Sequence, residues 1–361
     1  MSAPRLKALK VRVVLAPLRR PLVNASGSLP RVPLVLVDME TDAGITGIAY
    51  LFSPSPLVLR PLAALLEEIG SFLAGQPVEP VELERKLQKS FLLLGGTGLV
   101  TMALAAVDMA AWDIVGKLND KPLAELWGGS LQPLRAYNSL GLGLMGSARA
   151  AVEAVELLEF GFTAIKLRLG YPTLAEDVAV TRAVRAAVGP EIEIVADFNQ
   201  CLELPEAMRR CQALDGEGLA WIEEAIRADD YAGSAALARQ IATPVQIGEN
   251  FWSVGDVAKA VAAGASDLIM PDVMKIGGMT PWLRAAGLAS GHGVPVSSHL
   301  FPEASQHLLA AASTRHYLEY VDWAGPVLQE PLRIENGHSV VDRRPGHGMA
   351  WNEDAIGALL L

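Results

Sequence analysis

Cysteine is scarce: the 361-residue chain has two, Cys201 and Cys211, at a spacing that suits no metal site. That excludes a disulfide framework and leads us to expect a reducing, cytosolic setting with both thiols as ordinary residues. Basic charge is also in deficit. Thirty Lys and Arg against forty Asp and Glu give a formal net charge of −10, which argues against nucleic acid or an anionic membrane as partner. The opening MSAPRLKALKVRVV reads as a charged strand rather than a signal peptide. Long apolar runs are missing too, with one near exception, FLLLGGTGLVTMALAAV at 91–107. Its Gly95, Gly96 and Gly98, and the acids Asp108 and Asp113 beyond it, fit a loop entering a buried helix better than a membrane span. Linkers and low-complexity segments are absent, so domains are expected to pack tightly.

What is present is apolar content, 51% of the chain, enough for a large core built from a barrel and a smaller domain. Over the first 128 residues KALKVRVVLAPL and PLVLVDMETDAGITGIAYLF read as strands. SPLVLRPLAALLEEIGSFLAG and LVTMALAAVDMAAWDIVGKLN have helical periodicity, so the whole is an α+β pattern. From Leu134 the rhythm alternates. LRAYNSL, TAIKLRL, IEIVADF, LAWIEE, PVQIGE, DLIMPD, VPVSSHL and YLEYVD are strand candidates separated by helix-like segments. Eight strands with intervening helices predict a (β/α) barrel with its active site at the C-terminal strand ends. The division is then 1–128, 129–325 for the barrel, and a tail over 326–361 that returns to the first domain.

Asp197 in VADFN, Glu223 in WIEEA and Glu249 in QIGEN follow one another at intervals of 26 residues. Each closes a β-like run, and about 25 residues suffice for a strand, a crossover helix and two loops. Three carboxylates then project from successive parallel strands, where they repel unless a cation sits among them. An all-oxygen set selects Mg2+ before Mn2+, and either before zinc. The other strand ends offer Ser139, Lys166, Arg168, Asn199, Asp272, Lys275, His299 and Glu319. One such residue alone is ordinarily a loop hydrogen-bonder or a helix cap, but a run of strands all ending this way is not a packing pattern. Lys166 and Arg168 alternate with apolar neighbours in AIKLRL and point together into the barrel mouth. Two cations there call for counter-charge or an anionic substrate. His307, His316, His338 and His347 read as structural or surface residues.

These residues resemble the mandelate racemase/muconate lactonizing enzyme family of the enolase superfamily over nearly the whole chain. The resemblance lies in PLVLVDMETDAGITG, DMAAWDIVGK, GFTAIKLRLGYP, VADFNQ, GLAWIEEA, PVQIGENF, MPDVMKIGG, VSSHLFPEASQHLLAA and YLEYVD. It implies an α/β fold, a modified TIM barrel (β/α)7β under an N-terminal α+β capping domain. It further implies Asp197, Glu223 and Glu249 as Mg2+ ligands, Lys166 and His299 flanking the substrate, and Asp272 orienting His299. Glu319 is expected to donate to the substrate carboxylate, with Ser139, Asn199 and Lys275 nearby. The partner implied is a small carboxylate, and the assembly a homo-oligomer, octamers being common among similar enzymes.

The chemistry of these roles is removal of the α-proton of a 2-hydroxycarboxylate to an enediolate. A metal cation, Lys166 and a protonated Glu319 stabilise the charge that develops, and His299, with a pKa near working pH, is the base. The second barrel strand departs from the family's Lys-x-Lys: it reads Lys166-Leu167-Arg168, and arginine is a poor general base. A lid loop is expected over 19–31. Leu22, Val23, Leu29 and Phe52 are candidates for an apolar wall, while Arg19, Arg20, Asn24, Ser26, Ser28 and Arg31 are candidates to meet hydroxyls or a second carboxylate. Three functions follow: racemisation or epimerisation first, acid-sugar dehydration as the alternative, and a non-catalytic metal or partner binder last.

Overall fold

The computed structural model describes residues 3–25, 27–53 and 55–361. The first sheet is an antiparallel meander, β1 (Leu6–Asn24), β2 (Gly27–Thr41) and β3 (Thr46–Phe52). Four helices follow: α1 (Leu59–Leu73), α2 (Pro80–Ser90), α3 (Leu99–Leu118) and α4 (Leu123–Leu126). Helix α1 buries Leu59, Leu62, Leu66, Ile69 and Leu73, a stripe at three- and four-residue spacing. Each such side chain contributes roughly 1.5–3 kcal/mol on burial, so Leu66→Ala alone is expected to cost about 2–5 kcal/mol. Helix α3, apolar and long enough to cross a membrane, is 78% buried over its most apolar window and serves as a core helix. It lies so close to β3 that a Cβ on Gly47 would stand 2.0 Å from the Ala110 carbonyl oxygen.

The barrel strands are β4 (Leu134–Asn138), β5 (Ala164–Arg168), β6 (Glu193–Asp197), β7 (Trp221–Glu223), β8 (Val245–Ile247), β9 (Leu268–Ile269) and β10 (Leu318–Tyr320). Neighbours pair in parallel from β4 to β9, and β10 pairs with β4. The gap between β9 and β10 is closed by residues 294–299, whose parallel contacts are bridges: Ile269 with Val296, Val296 with Arg315, and Asp272 with His299. The connections carry α5 (Ser147–Glu156), α6 (Leu174–Val188), α7 (Leu204–Leu214), α8 (Tyr231–Ala238), α9 (Val254–Ala263), α10 (Met279–Gly291) and α11 (Pro302–Ala311). Helix α6 opens on a full capping box, Thr173 with Glu176. Seven helices between eight barrel positions make this a (β/α)7β barrel.

Two expectations change in detail. DLIMPD and VPVSSHL yield a two-residue strand and isolated bridges rather than full strands; the latter runs into a turn in which Leu300 and Phe301 have left-handed φ of 47° and 46°. The 19–31 lid is a β-hairpin, not an irregular loop: Leu22 pairs with Leu29, Val23 with Ser28 and Asn24 with Gly27. The register slips between Pro17 and Leu22, where Pro17 and Pro21 bring no N–H to the ladder. Ser26 lies outside the described residues.

After β10 the chain forms the small strands β11 (Ile334–Glu335) and β12 (His338–Ser339), the latter pairing with β4, and ends in α12 (Glu353–Leu359). This segment meets the first sheet: Trp351 Nε1 donates to Asp38 at 2.7 Å, Leu361 N donates to the Val13 carbonyl at 3.0 Å, and the buried His347 ring meets the Ile48 carbonyl at 2.8 Å. Sheet and barrel also join directly, the Tyr50 hydroxyl donating to Glu303 at 2.7 Å and Trp112 Nε1 to Thr280 at 2.8 Å.

Candidate active site

Strand register builds the site. Arg168 on β5 pairs with Asp197 on β6, and Asp197 with Glu223 on β7, so their side chains stand side by side at the barrel mouth. Glu249 follows two residues after β8. One carboxylate oxygen from each of Asp197, Glu223 and Glu249 lies within 4.8 Å of the others. Glu223 Oε2 and Asn199 Oδ1 are buried without a hydrogen-bond partner. Six carboxyl groups (Asp197, Glu223, Glu224, Glu249, Asp272, Glu319) gather with four cationic side chains (Lys166, Arg168, Lys275, His299). Hard oxygen donors, an orphaned carboxylate oxygen and carboxyl groups in the majority fit a divalent ion such as Mg2+.

Lys166, 1% exposed, reaches Glu223 at 2.7 Å, Glu319 at 3.0 Å and Asp197 at 3.5 Å. Burial works against its charge, but Glu223, Glu319, Tyr137 and Asp197 outweigh it and hold the pKa well above normal. His299 Nδ1 lies 2.7 Å from Asp272 Oδ2, while its Nε2 faces Glu249 at 3.1 Å and Glu319 at 3.9 Å. Asp272 is aimed by the backbone N–H groups of Met274 and Lys275, both donating to its Oδ1. Burial disfavours the imidazolium, yet Glu249, Glu319 and Asp272 raise the His299 pKa well above its ordinary value. Glu249 is driven well down: burial opposes the shift, and His299 and Lys275 overcome it.

Glu319 stands between the two cations: burial favours its neutral form, but Lys166 and His299 push its pKa down to about 2. It accepts from Lys166 and from Leu300 N.

The remaining candidates gather at the same mouth. Asn199 donates twice to Asp197, from N at 2.8 Å and Nδ2 at 2.9 Å. Lys275 Nζ reaches Asn250 at 2.7 Å and Glu249 at 3.6 Å. Arg168 has no carboxylate partner among the described residues. Its Nη1 donates to the Ser139 and Gly141 carbonyls and its Nη2 to Ser139 Oγ at 2.8 Å, while Nε is buried without a partner.

Above these groups lies a cavity of about 260 Å3. Leu22 and Leu29 of the hairpin, Phe52, Met274, Leu300 and Trp323 give it an apolar wall, with Phe52 and Trp323 rings 4.8 Å apart. Asn24, Ser28, Asn199 and Gln200 line it as well. Val23, 40% exposed, does not line this cavity, and neither do Arg19, Arg20 or Arg31; Arg19 and Arg20 form ion pairs with α5 and the turn after it. Glu224 was not among the sequence candidates. Alternation would turn it away from Glu223, but its φ of 38° folds it back, where Asn250 Nδ2 donates to it at 2.8 Å. Burial and the Glu249 charge push its pKa up to about 8. The doubled acid of WIEE was the available signal.

Models of two families match the chain: the mandelate racemase/muconate lactonizing enzyme N-terminal domain over residues 8–128, and the enolase C-terminal domain-like model over 149–355. The chain belongs to the mandelate racemase/muconate lactonizing enzyme family of the enolase superfamily. Within that family it is similar to L-talarate/galactarate dehydratase of Salmonella typhimurium, 29% identical over 98% of this chain and 91% of the relative. Among solved structures, an enolase from Bradyrhizobium complexed with magnesium and mandelic acid is 44% identical, with a TM-score of 0.95, over 100% of this chain and 99% of that one. L-talarate dehydratase from Polaromonas sp. JS666, complexed with Mg and L-glucarate, is 30% identical with a TM-score of 0.90, covering 99% and 97%.

Proposed function

We propose that this family member removes the α-proton of a 2-hydroxycarboxylate, with His299 as base, and that the outcome is racemisation or epimerisation. The observation that carries this is the His299–Asp272 pair at 2.7 Å with Nε2 turned to the carboxylate cluster. Asp272 fixes the proton on Nδ1 and stabilises the imidazolium that forms. Asp197, Glu223 and Glu249 would hold Mg2+, which when bound would polarise the substrate carboxylate and offset the negative charge that raises the His299 pKa. The Lys166 ammonium lies across the barrel from His299 and stabilises charge developing on the substrate oxygens, an effect worth about 3 kcal/mol for one such donor. The apolar wall of Leu22, Leu29, Phe52 and Trp323 suits a substrate with an apolar substituent and leaves few partners for a polyol chain, which supports inversion at Cα over loss of a β-hydroxyl.

The second reading is dehydration of a polyhydroxy acid. It is favoured by Arg168, bound to backbone carbonyls where a second lysine would be the other base, arginine being a poor general base, and by Asn24, Ser28 and Gln200 as hydroxyl partners. Incubating the Mg2+-loaded protein with a panel of 2-hydroxy and sugar acids in D2O, read by 1H NMR with a keto-acid assay, separates the two. Exchange with inversion is the expected result. A 2-keto acid without inversion selects dehydration, and no exchange from any acid overturns both. The wider reading keeps residues 1–128 as cap, 129–325 as barrel and 326–361 as the returning segment, in a cytoplasmic homo-oligomer. Exposed Leu92, Leu93 and Leu94, at 74%, 102% and 73%, supply an apolar surface for self-association, and sedimentation of a monomer at micromolar concentration would remove it.

A further inference from the structure

The lid hairpin and the Arg168 guanidinium touch the same short stretch of chain, residues 139–144, from opposite sides. On the inner side Arg168 Nη1 donates to the Ser139 and Gly141 carbonyls, and Arg168 N to the Leu142 carbonyl at 3.0 Å. On the outer side Leu144 N donates to the Val23 carbonyl of the hairpin at 2.8 Å. The fit there is close: a Cβ on Gly143 would come within 2.2 Å of the Val23 oxygen. Leu142 is held at a φ of 48°, a conformation that a leucine keeps only when its surroundings impose it.

Glu153 of α5 holds this residue by its N–H. Its carboxylate, 6% exposed, accepts from Leu142 N at 2.7 Å through Oε1 and faces Arg20 of the hairpin at 3.7 Å through Oε2. Arg20 is further held by Glu156 at 2.6 Å. Gly141 lies wedged between the two, since a Cβ there would stand 2.2 Å from Glu153 Oε1 and 3.4 Å from Arg20 Cδ. One buried carboxylate thus has one oxygen on the lid and the other on the turn whose carbonyls seat Arg168. We propose that Glu153 is a positioning residue that anchors both the hairpin, through Arg20, and the turn that seats Arg168. The substrate-facing part of this rests on the functional reading above, while the double anchor itself does not.

The test uses the full chain with E153A, E153Q and R20Q. Amide hydrogen exchange without any added ligand reads the hairpin tip and Leu142 separately. E153A is expected to speed exchange at both by roughly tenfold or more. E153Q keeps an oxygen for Leu142 N–H, so it restores the turn and leaves the tip fast; R20Q speeds the tip alone. In turnover of the acid that exchanges fastest in the D2O panel, R20Q raises KM with kcat unchanged. E153A lowers kcat by roughly 10- to 100-fold, and E153Q recovers most of it. Leu142 exchange unchanged in E153A, tip exchange indifferent to R20Q, or kcat equally low in E153A and E153Q overturns the double anchor. Should no acid react with the wild-type protein, the functional reading fails and the exchange measurements still decide the anchor.

Discussion

At His299 the ring has one fixed and one reactive nitrogen, because Asp272 takes Nδ1 and leaves Nε2 toward the cluster. His299→Asn is therefore expected to cut α-proton exchange by about 10²–10⁴ while Mg2+ binding by calorimetry persists; exchange near the wild-type rate would sink the assignment. Arg168 makes the opposite kind of expectation. Its charge is held by carbonyls with no acid to take or return a proton, so exchange should be faster for the enantiomer presented to His299. Arg168→Lys supplies an amine that can lose its proton and should speed the slower enantiomer, and equal, rapid exchange of both by the unaltered protein contradicts this. Ionisable residues at strand ends were legible because a charge at such a place has few structural uses. Glu224 was not, since its φ breaks the alternation on which the reading depends, and the state of Glu319 was not, since it depends on how near Lys166 approaches.

Among the elements, α11 carries a titration that sets stability against pH. Burial raises the Glu303 pKa to about 7, and the Tyr50 hydroxyl bond only moderates it. Between about pH 4.5 and 7 the folded chain keeps this proton and the unfolded chain has lost it. The contribution is full below that window and gone above it, roughly 3 kcal/mol in all. Glu303→Gln should flatten the fall in urea midpoint from pH 5 to 8, leaving the part due to Asp108 and Glu224, which burial raises to about 7 and about 8; an unaltered slope would discard the assignment. Helix α1 and strands β2, β5 and β6 could be read from periodicity alone. The lid could not, because prolines at 17, 21, 30 and 33 read as a loop, whereas the hairpin resumes its pairing beyond them. The closing barrel segment 294–299 likewise reads as an ordinary strand, but it pairs through isolated bridges and is followed by a left-handed turn whose Leu300 N donates to Glu319, a partner that no local pattern records.

For the whole molecule, the clustered carboxylates tie stability to the metal. Free Mg2+ at 100 times its Kd should add about 2.7 kcal/mol, seen as a higher Tm in calorimetry; Glu223→Gln should shrink the gain, and a Tm indifferent to Mg2+ and chelator alike would exclude a site here. The two-part architecture was readable because strands-then-helices gives way to strict alternation, but the union of the parts depends on pairs far apart in sequence. The last of these has a consequence for biosynthesis. Arg12 of β1 pairs with Glu353, 341 residues later, and Val14 bridges to Leu360. The sheet that bears the lid thus leaves the ribosome well before the helix that completes it. Until α12 emerges, the apolar lid residues have a barrel to cover but no finished anchor, so chaperone capture of nascent chains should fall only once α12 is out.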